Sequence, residues 1–134
     1  MTGWSRGAPV RVLIIDQHPA FRRVARELLR LRGYAVVGEV DAAAEVVTAV
    51  ARLAPDAVLL DIRLGDESGY AVARALARCD SAPAVLLVSV GDYGDGDAEA
   101  RARSAGARGF LLKGKLAAAD LTRFWPDPSG GRVT

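Results

Sequence analysis

Residues 57–69 read Ala57-Val58-Leu59-Leu60-Asp61-Ile62-Arg63-Leu64-Gly65-Asp66-Glu67-Ser68-Gly69, a short apolar run that ends on a carboxylate. Such a run, preceded by Pro55 and followed by Gly65 and Gly69, is typical of a strand buried on both faces of a parallel sheet. In open α/β sheets, ligands bind in the crevice beyond the carboxyl ends of the strands. The pattern therefore puts Asp61 at a position where chemistry is expected.

Length and composition indicate a single globular domain. The chain has 134 residues, 51% of them apolar and 25% charged, and a formal net charge of +2. This length suits one core and is too short for two domains. The sequence pI of about 9.0 reflects arginines spread along the chain, so it gives little support for nucleic-acid binding. Since Cys79 is the only cysteine, an internal disulfide is excluded and a reducing, cytoplasmic setting is expected.

The sequence predicts neither a signal peptide nor a membrane span, because no apolar stretch has the required length. We expect loose tails at residues 1–9, which include Trp4, and at residues 126–134. The folded domain is expected over residues 10–125. No internal repeat and no linker to a second domain is visible.

Strand and helix patterns alternate along the rest of the chain. Further strands are predicted at residues 10–15, 34–39, 84–88 and 107–112. Helices are predicted from His18-Pro19 to Gly33, from an Asp41 N-cap to Leu53, from Ser68 or Gly69 to about Asp80, over 98–105 and over 115–124. Residues 91–97, rich in glycine and aspartate, predict a mobile loop. Five strands alternating with five helices predict a doubly wound α/β fold, a five-stranded parallel sheet with helices on both faces.

Polar side chains follow four of the predicted strands, namely Asp16 with Gln17, Asp61, Ser89 and Lys113. Because the carboxyl ends of parallel strands meet at one edge, these side chains are expected in one crevice. Two carboxylates, completed by carbonyls and water, suit octahedral Mg²⁺. Such a metal offsets the charge of a phosphoryl group and allows a carboxylate to act as nucleophile. A hydroxyl and an ammonium could each bind a phosphoryl oxygen.

Taken together, these strings resemble the receiver domain of two-component response regulators. The matching strings are Leu13-Ile14-Ile15-Asp16-Gln17-His18-Pro19, Leu59-Leu60-Asp61-Ile62-Arg63-Leu64 with Gly69, Ser89 after an apolar strand, and Gly106-Ala107-Arg108-Gly109-Phe110-Leu111-Leu112-Lys113. The resemblance covers residues 10–124, and the Asp-x-His-Pro opening is most similar to LuxR/NarL-type receivers, which often carry a helix-turn-helix output domain. It implies a flavodoxin-like, CheY-like fold. Because no output domain follows in the sequence, we expect a stand-alone receiver.

The resemblance also implies a mechanism. Asp61 would accept a phosphoryl group from a histidine kinase or phosphotransfer protein, and the chain would be no enzyme beyond self-catalysed phosphorylation and dephosphorylation. Ser89 and Lys113 would contact the phosphoryl group, and the rotamer of Phe110 would follow Ser89. A downstream protein would bind the face formed by the fourth helix, fifth strand and fifth helix. A homodimer could form through the fourth and fifth helices, and no direct contact with nucleic acid or membrane is implied.

The implied metal site departs from the family pattern. The resemblance implies Mg²⁺ bound by Asp16, Asp61 and the backbone carbonyl of Arg63, with a second acid directly after the first. Gln17 stands at that second position, so an amide oxygen is at best a weak ligand there and Mg²⁺ affinity should fall. Gly114 likewise replaces the family's proline after the lysine.

Two alternatives remain beside a phosphorylated receiver. A receiver-like interaction module could have lost metal-dependent control through Gln17 and bind its partner without phosphate. A phosphatase or phosphotransferase resembling the haloacid dehalogenases also uses a strand-end aspartate, a serine or threonine, and a lysine. The second class is disfavoured because its nucleophile motif is Asp-x-Asp, whereas the strings here are Asp16-Gln17-His18 and Asp61-Ile62-Arg63. His18 itself is interpreted as a helix-start residue.

Overall fold

A computed structural model describes residues 8–91 and 97–129. Most of the predicted N-terminal tail, including Trp4, lies outside the described residues. So do residues 92–96 of the predicted mobile loop and residues 130–134 of the predicted C-terminal tail. Pro126 and Pro128, at the start of that C-terminal tail, are half-buried.

Five strands build the main sheet: β1 (Arg11–Ile15), β2 (Ala35–Val40), β3 (Ala57–Asp61), β6 (Ala84–Ser89) and β7 (Gly109–Leu112). They lie in the order β2-β1-β3-β6-β7, and every neighbouring pair is parallel. Between β3 and the next helix, β4 (Arg63–Leu64) and β5 (Glu67–Ser68) form a small antiparallel pair. The predicted five-stranded parallel sheet is therefore confirmed.

Four α-helices follow the strands: α1 (Pro19–Leu31), α2 (Val46–Leu53), α3 (Gly69–Ala77) and α4 (Ala98–Ser104). His18 is the N-cap of α1, with proline in the first turn, as predicted. Ser68 caps α3 by accepting a hydrogen bond from the Tyr70 N–H at 3.1 Å. The predicted Asp41 cap is wrong, because a 3₁₀ turn (Ala43–Glu45) precedes α2 and separates Asp41 from its first residue.

The predicted fifth helix over residues 115–124 is also wrong. Two 3₁₀ segments, Lys113–Ala118 and Leu121–Arg123, take its place. Between them, Asp120 accepts hydrogen bonds from the Thr122 N–H and hydroxyl. Arg32, at the end of α1, donates to the carbonyls of Ala117 and Ala119. Carbonyl groups that a continuous helix would pair internally thus obtain a side-chain donor instead.

Each face of the sheet is covered by its own apolar cluster. One cluster joins the sheet to α2, α3 and α4. The other joins the sheet to α1 and the C-terminal segment, through Leu116, Leu121, Phe124 and Trp125. Both faces of the sheet are therefore covered, as in a doubly wound fold. On the α1 face, the two 3₁₀ segments lie where the fifth helix was expected. Among the described residues, no helix combines the length and the apolar character needed to cross a membrane.

Candidate functional site

Three charged side chains meet at the carboxyl edge of the sheet. Asp16 directly follows β1, Asp61 ends β3, and Lys113 directly follows β7. The Lys113 Nζ atom lies 2.7 Å from Asp16 Oδ2 and 3.2 Å from Asp61 Oδ2. All three side chains are buried, with 1%, 5% and 8% exposure for Asp16, Asp61 and Lys113. The crevice predicted from strand ends thus contains two carboxylates held by one ammonium.

Backbone geometry fixes the position of Asp61. A Cβ atom on Gly69 would lie 2.3 Å from the Asp61 carbonyl oxygen, so only glycine lets α3 begin this close to the end of β3. The Gly69 N–H donates to the Ile62 carbonyl at 2.7 Å. The Arg63 N–H donates to Asp61 Oδ1 at 3.1 Å, while Oδ2 faces Lys113. The carboxylate is therefore oriented by the turn that follows it.

Burial raises the pKa of Asp61 above its usual value. The neighbouring Asp16 carboxylate raises this pKa further, while the Arg63 N–H and the Lys113 ammonium lower it. The net effect is a raised pKa, because desolvation of the charged form is the largest contribution. The ammonium itself lies 4.4 Å from the centre of the Phe21 ring, on α1. An aromatic face and two carboxylates thus hold Lys113 in place.

Ser89 and Phe110 lie beside this crevice. Ser89 is 2% exposed, and its hydroxyl donates to the Gly91 carbonyl at 2.7 Å. It also accepts from the Gly91 N–H at 3.3 Å. Phe110 is half-buried and lines a cleft of about 420 Å³ together with Ile62 and Tyr70. In this state the Ser89 hydroxyl is bonded to its own loop, so a contact with a phosphoryl group requires that bond to change.

Gln17 and His18 make contacts that differ from the roles expected of them. The Gln17 Oε1 atom accepts a hydrogen bond from the Gly65 N–H at 3.1 Å, so the amide oxygen binds the turn between β4 and β5. The His18 Nδ1 atom lies 3.1 Å from Asp16 Oδ1 and 3.6 Å from Asp61 Oδ2. Interpreting His18 only as a helix start missed this contact. The Asp-x-His spacing is the signal that could have found it, because the His18 N–H donates back to Asp16 Oδ1 at 2.8 Å.

Donor atoms of the type that binds a divalent cation surround the Lys113 ammonium, whose Nζ atom also lies 3.4 Å from His18 Nδ1. One carboxylate oxygen from Asp16, one from Asp61 and a ring nitrogen of His18 lie within 4.8 Å of one another. Two carboxylates are the ligand type that Mg²⁺ requires, although it takes few ligands other than oxygen. The described residues thus provide two of the predicted ligands together with a nitrogen that was not predicted.

Comparison with known proteins supplies the family. Residues 12–123 match the response regulator receiver domain. The chain belongs to this family. This receiver domain is 34% identical over 105 residues to the transcriptional regulatory protein PdtaR of Mycobacterium tuberculosis (strain H37Rv), covering 78% of this chain and 50% of that protein. It is 38% identical over 105 residues to the probable transcriptional regulatory protein NarL of the same strain, covering 78% and 48%.

Solved structures give the same assignment. The signal receiver domain of the putative response regulator NarL from M. tuberculosis superposes with a TM-score of 0.70 at 38% identity, covering 78% of this chain and 84% of that one. A LuxR-family two-component response regulator from Aurantimonas sp. superposes with a TM-score of 0.72 at 30% identity, covering 84% and 82%. The receiver spans about half the length of the curated relatives it matches. It is a receiver domain of the two-component response regulator type.

Proposed function

We propose that this receiver accepts a phosphoryl group on Asp61 from a histidine kinase or phosphotransfer protein in the cytoplasm and passes the signal on by protein contact. The observation that carries the proposal is the position of Lys113, within 3.2 Å of both carboxylates in a buried crevice. A positive charge fixed beside the acceptor oxygen stabilises negative charge as it develops on a phosphoryl group.

Each charged residue at the carboxyl edge of the sheet has a role in the proposed phosphoryl transfer. An oxygen of Asp61 attacks phosphorus and forms the new P–O bond, while the bond to the donor breaks and the donor leaves with its electron pair. Lys113 then binds an oxygen of the transferred group. Mg²⁺ would be held by Asp16, Asp61 and the Arg63 carbonyl, and would supply charge that offsets the phosphoryl oxygens.

Ser89 and Phe110 are proposed to convert this local event into a change of surface. A phosphoryl oxygen competes with Gly91 for the Ser89 hydroxyl, which would draw Ser89 inward and leave room for Phe110 to turn inward after it. The predicted partner-binding face included a fifth helix, which is absent among the described residues. We therefore assign the downstream contact to α4, β7 and the 3₁₀ segment Lys113–Ala118, where a homodimer could also form.

Intact mass spectrometry after incubation with acetyl phosphate, with and without Mg²⁺, tests the proposal. The wild type should gain the mass of one phosphoryl group when Mg²⁺ is present, and Asp61→Asn should gain none. Asp66→Asn is the matched control, because Asp66 lies in the same turn but is exposed; it should behave as wild type. An adduct that persists in Asp61→Asn would refute the site.

A phosphate-independent interaction module is the second candidate. It is favoured by Gln17, whose neutral amide binds Gly65, and by Lys113, which already pairs both carboxylates. If the folded wild-type protein takes up no phosphoryl group with Mg²⁺, this second candidate replaces the first.

A further inference from the structure

We propose that Arg22 is a positioning residue for phosphoryl transfer, because its guanidinium holds the backbone carbonyl that fixes Asp16 beside Asp61. The inference rests on the proposed function and adds to it a residue that lies outside the crevice. It is carried by the hydrogen bond from Arg22 Nη1 to the Asp16 carbonyl oxygen, at 2.6 Å. It is carried equally by the pairing that holds the guanidinium in place.

Each polar group of Asp16 has a partner that limits its movement. The Asp16 N–H donates to the Val40 carbonyl at 2.9 Å. Carboxylate Oδ1 accepts from the His18 N–H at 2.8 Å, and Oδ2 lies 2.7 Å from Lys113 Nζ. The carbonyl oxygen accepts from Arg22. Arg22 therefore supplies the contact to Asp16 that is made by a side chain outside the crevice.

The bond to the carbonyl matters because it sets the direction of the chain after β1. A peptide unit is planar, so fixing the Asp16 carbonyl also fixes the orientation of the Gln17 N–H. His18 follows, and its N–H returns to Asp16 Oδ1. A rotated carbonyl would weaken this return bond and release the carboxylate from its position at Lys113. Arg22 thus acts on the Asp16 side chain through the backbone turn.

Glu39 holds the guanidinium in the position that this contact requires. Arg22 Nε donates to Glu39 Oε1 at 2.9 Å, while Nη1 of the same planar group donates to Asp16. The rigid fork of an arginine can bind two acceptors in this way. The Arg22 side chain is only 17% exposed. The fork therefore connects α1 with β2 and with the end of β1.

Arg26 provides a comparison within the same helix. Its Nε atom donates to the other oxygen of Glu39, Oε2, at 2.7 Å. The Arg26 side chain is 38% exposed, and none of its contacts with the described residues involves Asp16. Loss of either arginine removes a charge pair that solvent screens, so both variants should remain folded. Only the loss of Arg22 should disturb phosphoryl transfer.

The first test compares Arg22→Gln with its matched control, Arg26→Gln. Intact mass spectrometry follows the rate of phosphoryl uptake from acetyl phosphate with Mg²⁺. Arg22→Gln should slow this uptake roughly tenfold or more, the loss typical when a group that supports a metal-binding carboxylate is removed. Arg26→Gln should take up the phosphoryl group at the wild-type rate. Cooperative thermal unfolding above the assay temperature shows that both variants are folded.

A second readout needs neither metal nor phosphodonor. Because the His18 N–H donates to Asp16 Oδ1, hydrogen exchange of this amide, measured by NMR, reports whether the carboxylate keeps its position. Exchange should be faster than in the wild type for Arg22→Gln and unchanged for Arg26→Gln. A purely stabilising role would instead raise exchange throughout the sheet.

Two results overturn the inference. One is an equal rate of phosphoryl uptake in Arg22→Gln and Arg26→Gln, and the other is a His18 N–H that exchanges in Arg22→Gln as it does in the wild type. A folded wild type that takes up no phosphoryl group is a different failure, since it refutes the proposed function at Asp61. The exchange measurement then still decides whether Arg22 positions Asp16.

Discussion

The carboxyl edge of the sheet and the C-terminal segment, residues 113–129, meet at Lys113 and are held together by different forces. At the edge, two buried carboxylates face one buried ammonium at 2.7 and 3.2 Å. In the segment, short 3₁₀ turns are anchored by buried Phe124 and Trp125 and by the donation of Arg32 to two carbonyls. A parallel sheet can thus keep its charged edge while the last covering helix is replaced by aromatic anchors.

The largest expected effect tests those anchors. Trp125 is 3% exposed, and its ring meets the Tyr34 ring edge-on with centroids 5.4 Å apart. Trp125→Ala should lower the free energy of unfolding by about 3–5 kcal/mol, since it removes a large buried side chain and leaves a cavity. Urea denaturation measures the loss. The control is Leu31→Ala on α1, whose side chain is 77% exposed and should matter little.

If Trp125→Ala lowers the free energy of unfolding by less than about 1 kcal/mol, the proposed role of the aromatic anchors is wrong. Such a result would mean that the C-terminal segment contributes little to stability and that the sheet face beneath it is held by α1 alone.

A smaller loss of stability is expected where the C-terminal segment contacts the sheet. A Cβ atom on Gly109 would lie 2.5 Å from Cε1 and 2.8 Å from Cδ1 of Phe124. Gly109→Ala should therefore displace the aromatic ring and destabilise the protein by about 1–3 kcal/mol. Gly114→Ala is the matched control, because nothing lies within 4 Å of its added Cβ.

Equal unfolding free energies for the Gly109→Ala and Gly114→Ala variants would show that Phe124 does not pack against β7 as described. Thermal unfolding followed by near-ultraviolet circular dichroism would report both the stability and the aromatic packing.

The fold and the edge were predictable for the same physical reason. Buried parallel strands are continuous apolar runs, so their ends, and hence Asp16, Asp61 and Lys113, can be located from the sequence. The last helix was mispredicted because alanines and leucines after Lys115 have helical propensity, which tertiary contacts override. The Arg32 contact joins residues 85 and 87 positions apart, and no local pattern reveals it. The contact of His18 with the carboxylates was missed because it depends on the conformation of the single backbone turn that precedes α1.

The smallest loss of stability is expected for an exposed group of charges, in contrast to the buried charges at the carboxyl edge. Glu39, on β2, accepts hydrogen bonds from Arg22 Nε at 2.9 Å and Arg26 Nε at 2.7 Å. Burial alone would raise the pKa of Glu39, but the hydrogen bonds and charges of the two arginines lower it overall. Glu39→Gln should cost about 0.5 kcal/mol or less at pH 7, because solvent screens exposed pairs.

The pH dependence of this small effect has a definite sign. Since the folded state lowers the pKa of Glu39, the unfolded state takes up the proton more readily, and stability falls as the pH falls. The contribution is complete above the usual glutamate pKa and is lost as the pH drops through the lowered one. The difference between wild type and Glu39→Gln in chemical denaturation should therefore disappear in strong acid. A difference that grows on acidification would contradict the assignment.

The central claim is that the carboxyl edge holds a phosphoryl acceptor at Asp61. The most direct test treats the protein with acetyl phosphate and Mg²⁺, reduces it with sodium borohydride, and maps the product by tandem mass spectrometry. Reduction converts an aspartyl phosphate to homoserine, so the modified position is marked permanently. The account predicts homoserine at position 61 and an unmodified residue at position 16. Homoserine elsewhere, or a folded protein without any, would contradict it.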